Sequence, residues 1–147
     1  MFGETSIRVF VAIPIQIAVS ESLLHQAEKQ LSIPKKLLYT PDQMHLTLNF
    51  IGWVKSEFVN KVLKELSHIA KQYAGFNLIT NNWALLGQQS KSAVVALIQH
   101  SEELIHLHQL IYNHLLDIGV VIKDGYDFLP HVTCCRAVFI DVNNVSL

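Results

Sequence analysis

Apolar positions along the chain switch repeatedly between a period of two and a period of 3.6. The run Ile7 to Ile13 is β-branched and aromatic and stops at Pro14, which predicts a buried strand. From Ser20 to about Leu31 the spacing changes, and Leu23, Leu24, Ala27 and Leu31 share one helical face, with Ser20 placed to cap. Pro34 and Pro41 bracket a loop, after which a second strand is predicted from Met44 to Val54. Ser56 is placed to cap the next helix, whose Phe58, Val59, Val62, Leu63, Leu66, Ile69, Ala70 and Tyr73 form an apolar stripe that ends at Gly75. Two strand-like runs, Phe76 to Leu86 and Ser92 to Ile98, flank a polar turn at Gly87 to Lys91 and predict a hairpin. Ser101, followed by Glu102 and Glu103, opens a helix reaching about Ile118. Its acidic residues lie at the end where the helix dipole favours them, and Gly119 closes it. Val120 to Ile122 reads as a short strand, Lys123 to Pro130 as a loop, and a last strand starts at His131.

Laid side by side, these elements repeat. Strand, helix and strand occur once up to His45 and again up to His131, and each histidine stands 37 positions after a residue of its leading strand, Arg8 in one case and Val94 in the other. The repetition predicts two similar lobes, each presenting one strand that begins with histidine.

Those two strands share a motif. His45-Leu46-Thr47 and His131-Val132-Thr133 are both H-x-T. Side chains alternate between faces in a strand, so each His projects with its Thr while Leu46 and Val132 face the other way. Two imidazoles backed by two hydroxyls suit acid–base chemistry on a phosphate: imidazole gives or takes a proton near neutrality, and hydroxyls donate to phosphate oxygens. One H-x-T alone is weak, because histidine and threonine are ordinary strand residues. Two in matching positions are much stronger. Strict alternation puts Arg136 on the face opposite His131, so it can join the site only at a strand end or a bulge. Among the aromatics that could stack on a base, Tyr39, Phe50 and Trp53, alternation turns Phe50 into the core.

Composition narrows the classes. At 147 residues, 50% hydrophobic and 16% charged, the chain reads as one globular domain over residues 1–147. No apolar run approaches the roughly 20 residues of a spanning helix. The apolar run Val9 to Ile15 lacks the flanks of a secretory signal, which places the protein in the cytoplasm, away from membranes. The net charge of −1 gives no basic excess for gripping duplex DNA, so any nucleic acid would be recognised locally, at one phosphate and a base or two. Cys134 and Cys135 are adjacent, point to opposite faces of a regular strand, and read as reduced thiols. His100, His106, His108 and His114 lie on or beside one helix without a ligand spacing, and no metal, dinucleotide or G-x-S-x-G motif occurs.

The stretches RVFVAIP (Arg8 to Pro14), PDQMHLTLNFIG (Pro41 to Gly52) and LPHVTCCRA (Leu129 to Ala137) together resemble the two-histidine phosphoesterase superfamily, in particular its 2′-5′ RNA ligase and RNA 2′,3′-cyclic phosphodiesterase type. The resemblance implies an α+β fold of two pseudo-symmetric lobes with antiparallel sheets, helices outside and a central cleft bearing both motifs. It implies hydrolysis of 2′,3′-cyclic phosphates on RNA ends or small cyclic nucleotides, with 2′-5′ ligation as the reverse, and no metal or other cofactor. His45 and His131 would be catalytic, with His131 as base and His45 as acid, a polarity the sequence itself does not fix. Thr47, Thr133 and Arg136 would bind the phosphate. The rival expectation is a non-catalytic module that binds nucleotides or RNA ends. Relatives of this type continue further beyond the second motif, so the chain reads as shortened at its C-terminus, and a homodimer is expected to cover the exposed sheet edge.

Overall fold

A computed structural model describes residues 5–87, 92–120, 122 and 128–136. The elements are β1 (Ser6–Pro14), α1 (Ile17–Leu31), β2 (His45–Lys55), α2 (Ser56–Gln72), β3 (Thr80–Leu86), β4 (Ala93–Ile98), α3 (Glu102–Asp117) and β5 (His131–Arg136), with short 3-10 turns at Lys35–Leu37 and Pro41–Gln43. The five strands are hydrogen-bonded in the order β1-β2-β5-β4-β3, and β2 with β5, β5 with β4 and β4 with β3 are antiparallel. The α+β class and the antiparallel strands are as expected. The predicted turn at 87–91 and loop at 123–130 fall largely outside the described residues, as does everything after Arg136, including the edge on which the expectation of a dimer rested. Val120 and Ile122 are buried but are not in a strand.

The chain forms two compact units. One comprises the described residues within Ile13–Thr47, Leu78–Gln99 and Leu129–Leu147. It contains α1, the start of β2 and the β3-β4-β5 ladder. Helix α1 begins three residues before Ser20, after Gln16, so Ser20 is an interior helix position and wholly buried rather than a cap. The stripe Leu23, Leu24, Ala27 and Leu31 is buried as its spacing predicts. Trp83 is 4% exposed and donates its indole N–H to Gln30 Oε1 of α1 at 2.8 Å. Trp83 pairs with Ala96, and Ala96 with Val132. Paired residues share a face, so α1 covers the side of the sheet that carries Leu46 and Val132, both 0% exposed.

The other unit comprises the described residues within Met1–Ala12, Leu48–Asn77 and His100–Phe128, with the rest of β1 and β2 and helices α2 and α3. Helix α3 is capped as predicted: the Ser101 hydroxyl accepts from Leu104 N–H at 3.2 Å, and Gly119 ends the helix at φ 89°. Ser101→Ala should cost about 1 kcal/mol, read as a fall in the thermal unfolding midpoint. No change would mean that Leu104 N–H finds an equal partner in water. Helices α2 and α3 are joined by polar bonds: Tyr73 donates to Glu103 O at 2.7 Å, and His114 pairs with Glu65. Burial and the Glu103 carboxylate push the Tyr73 phenol above its ordinary pKa, so it donates throughout the neutral range.

This division differs from the repeat seen in the sequence. Both H-x-T motifs lie in the α1 unit, because the first residues of the long strand β2 pair directly with β5 and its later residues belong to the other unit. Phe50 also departs from expectation. Leu48 and Asn49 are buried in succession, which breaks the alternation, and Phe50 stands 45% exposed with its ring 6.2 Å from that of Phe10.

Candidate active site

Strands β2 and β5 pair with Leu46 opposite Val132, and that pair sets the register of the two motifs. In an antiparallel ladder the neighbours then follow: His45 opposes Thr133, and Thr47 opposes His131. All four side chains project from the face that α1 does not cover. Each is half-buried, while Leu46, Leu48, Val132 and Cys134 are buried. Directly opposed Cβ atoms lie about 5 Å apart and diagonal ones about 7–8 Å, so the two imidazoles stand across a diagonal with a hydroxyl beside each.

Both histidines are oriented in the same way. His45 Nδ1 lies 2.9 Å from Gln43 O, and His131 Nδ1 lies 2.7 Å from Leu129 O. A carbonyl only accepts, so Nδ1 carries the proton in each neutral ring, which makes Nε2 the basic nitrogen. Each imidazole is thus held by the carbonyl two residues before it.

Arg136 reaches the same face through a bulge. Along β5, Thr133 pairs with Val95 but Cys135 pairs with Val94, so β5 carries one extra residue there, Cys134. The register is shifted by one, and Arg136, paired with Ala93, becomes the next residue after Thr133 on the site face. The expectation that alternation would turn it away holds only for an unbulged strand. The bulge also corrects the placing of the cysteines: both thiols lie on the covered face, each 0% exposed, and remain free. Burial, the neighbouring Cys135 and, in opposition, a hydrogen bond with the Ala96 backbone leave Cys134 pushed up to about 12, and burial raises Cys135 as well. Neither is a thiolate nucleophile at neutral pH. In the folded protein neither should react with a disulfide reagent at pH 7 to 8, and both should react after denaturation. Fast labelling of either would show that this face is open.

The remaining predicted residues are placed as follows. Tyr39 is half-buried and its hydroxyl meets Arg136 Nε at 2.6 Å. Trp53 is 73% exposed. The helix-borne histidines take separate partners: His106 meets the Tyr73 hydroxyl at 3.1 Å, and His108 donates to Leu48 O at 2.7 Å and stacks on Phe128. Among the described residues no three His, Cys, Asp or Glu side chains converge as metal ligands, and no helix is long and apolar enough to cross a membrane. The role of Tyr39 beside Arg136 was not legible in the sequence. The consecutive small residues Cys134 and Cys135, which interrupt the alternation, were the available signal for the bulge.

An antiparallel sheet with helices packed on it defines an α+β class that known proteins share. The model of the 2′-5′ RNA ligase superfamily matches residues 17–138, and the chain belongs to that superfamily. It is 24% identical over 98 residues to the RNA 2′,3′-cyclic phosphodiesterase of Aquifex aeolicus, a match covering 65% of this chain and 52% of that protein. It is 22% identical over 131 residues to the protein of the same name from Thermotoga maritima, covering 88% of this chain and 69% of the relative. The chain therefore spans about half to two thirds of the length of these relatives. The crystal structure of E. coli LigT complexed with 3′-AMP superposes with a TM-score of 0.69 at 20% identity, covering 97% of this chain and 83% of that one.

Proposed function

We propose that the chain is a metal-independent phosphoesterase that opens 2′,3′-cyclic phosphates on RNA ends or small nucleotides. The observation that carries the reading is the pairing of Leu46 with Val132, from which it follows that both H-x-T pairs share one face of the sheet. The names of the relatives support the substrate class. They are called RNA 2′,3′-cyclic phosphodiesterases, and E. coli LigT was crystallised with a nucleotide.

In the hydrolytic direction the neutral His131 takes a proton from water at Nε2 as the water oxygen bonds to phosphorus. The bond from phosphorus to one ribose oxygen breaks, and the cationic His45 gives that oxygen its Nε2 proton. A ribose phosphomonoester with a free neighbouring hydroxyl results. The rings leave the step with their protonation exchanged, and solvent resets them. Thr47 and Thr133 donate to the non-bridging oxygens, and the Arg136 guanidinium balances their charge as it develops. With the 5′-hydroxyl of a second strand in place of water as nucleophile and the 3′-oxygen as leaving group, the same two proton transfers would join two ends through a 2′-5′ bond. The geometry of the two rings is the same on each strand, and the assignment of base to His131 follows the family.

Turnover of adenosine 2′,3′-cyclic phosphate should continue unchanged in excess EDTA. Loss of activity that added metal restores would contradict the mechanism. A protein that binds the cyclic nucleotide without opening it would leave the binding module as the correct reading. Since one ring must be neutral and the other cationic, kcat/KM should follow a bell in pH, and a single sigmoid would show that only one histidine titrates in the reaction.

A further inference from the structure

We propose that Tyr39 is a positioning residue for Arg136, fixing the plane in which the guanidinium meets the phosphate. The inference rests on the hydrolase reading for its substrate, and on the following geometry for its substance. Arg136 is the last residue of β5 and its side chain is exposed. Left alone, so long a side chain would populate many rotamers. Its Nε instead donates to the Tyr39 hydroxyl at 2.6 Å. A guanidinium is planar, so fixing the direction of Nε–H fixes the plane and leaves the terminal Nη groups as the available donors, the pair suited to two oxygens of one phosphate.

Tyr39 can serve as an anchor because it is itself held. Its backbone N–H donates to Cys134 O at 2.8 Å, the carbonyl of the bulge residue. It sits between two tight turns: Leu38 N–H donates to Lys35 O before it, and Thr40 N–H donates to the Gln43 side chain after it, at 2.9 Å. The bulge that returns Arg136 to the site face therefore also ties down the residue that orients it. Tyr39 also lines, with Leu38, Pro41 and residues of α1, a pocket of about 460 Å³.

The test is a double-mutant cycle over Tyr39→Phe and Arg136→Ala, read on adenosine 2′,3′-cyclic phosphate turnover, on inorganic phosphate binding by calorimetry, and on thermal unfolding. Tyr39→Phe should lower kcat/KM by about tenfold, the scale of a hydrogen bond to a charged group, with little change in unfolding midpoint. In the Arg136→Ala background the same change should alter kcat/KM less than twofold, because the group being oriented is gone. Phosphate affinity should show the same coupling. Wild-type behaviour of Tyr39→Phe would overturn the proposal, as would an equal loss in both backgrounds, which is what a purely structural tyrosine produces. A parent protein that does not open the cyclic nucleotide would overturn the hydrolase reading alone, and the phosphate-binding cycle would then decide the role of Tyr39.

Discussion

Replacing His131 with alanine should lower kcat for a 2′,3′-cyclic nucleotide by about 10²–10⁴-fold, the contribution of one general acid or base, and His45→Ala should do the same. The expected loss is in kcat more than in KM, because the proton moves only as the phosphorus–oxygen bonds change. The two losses should not add. With either ring gone the concerted transfer is gone, and the double variant should be little worse than the poorer single one. Each variant should fold, since both side chains are half-buried on the uncovered face and their Nδ1 bonds go to adjacent backbone rather than to the core. Multiplying losses would instead mean that the rings act on separate steps.

The largest expected effect on stability lies between the functional residues. Leu46 is 0% exposed, faces α1, and pairs with Val132 at the centre of the site's register. Leu46→Ala removes buried methyl groups from a close-packed face and should cost about 2–5 kcal/mol, lowering the unfolding midpoint on the order of 10 °C. Well below that midpoint, kcat should stay within a few-fold of the parent, since the Leu46 side chain lies on the covered face. A midpoint shift under about 2 °C would show that this face is loosely packed. A collapse of kcat in fully folded protein would show that the histidines depend on Leu46 for more than their register.

The sequence made the elements and the motif legible, and its limits have physical causes. Strand and helix periods, Ser101 and Gly119 gave the element order directly, because hydrophobic spacing and caps are local. The face-sharing of His45 with Thr47 and of His131 with Thr133 was equally local. Which strands pair is a long-range matter: the repeat suggested one motif per lobe, whereas β2 is long enough to lend its first residues to β5 and its later ones to the second unit. Arg136 and the two thiols were misplaced because strict alternation was assumed across the bulge in β5, and Phe50 because burial along β2 does not alternate at Leu48 and Asn49. Tyr39 meets Arg136 across 97 positions of chain, a contact that no local pattern encodes.

Whether both H-x-T histidines belong to one phosphate site can be read from the ring nitrogen resonances of His45 and His131 during titration with inorganic phosphate. Both rings should be protonated at Nδ1 when neutral, and both Nε2 signals should shift together along one saturation curve with a single Kd. A shift confined to one histidine, or two curves with different Kd values, would contradict it.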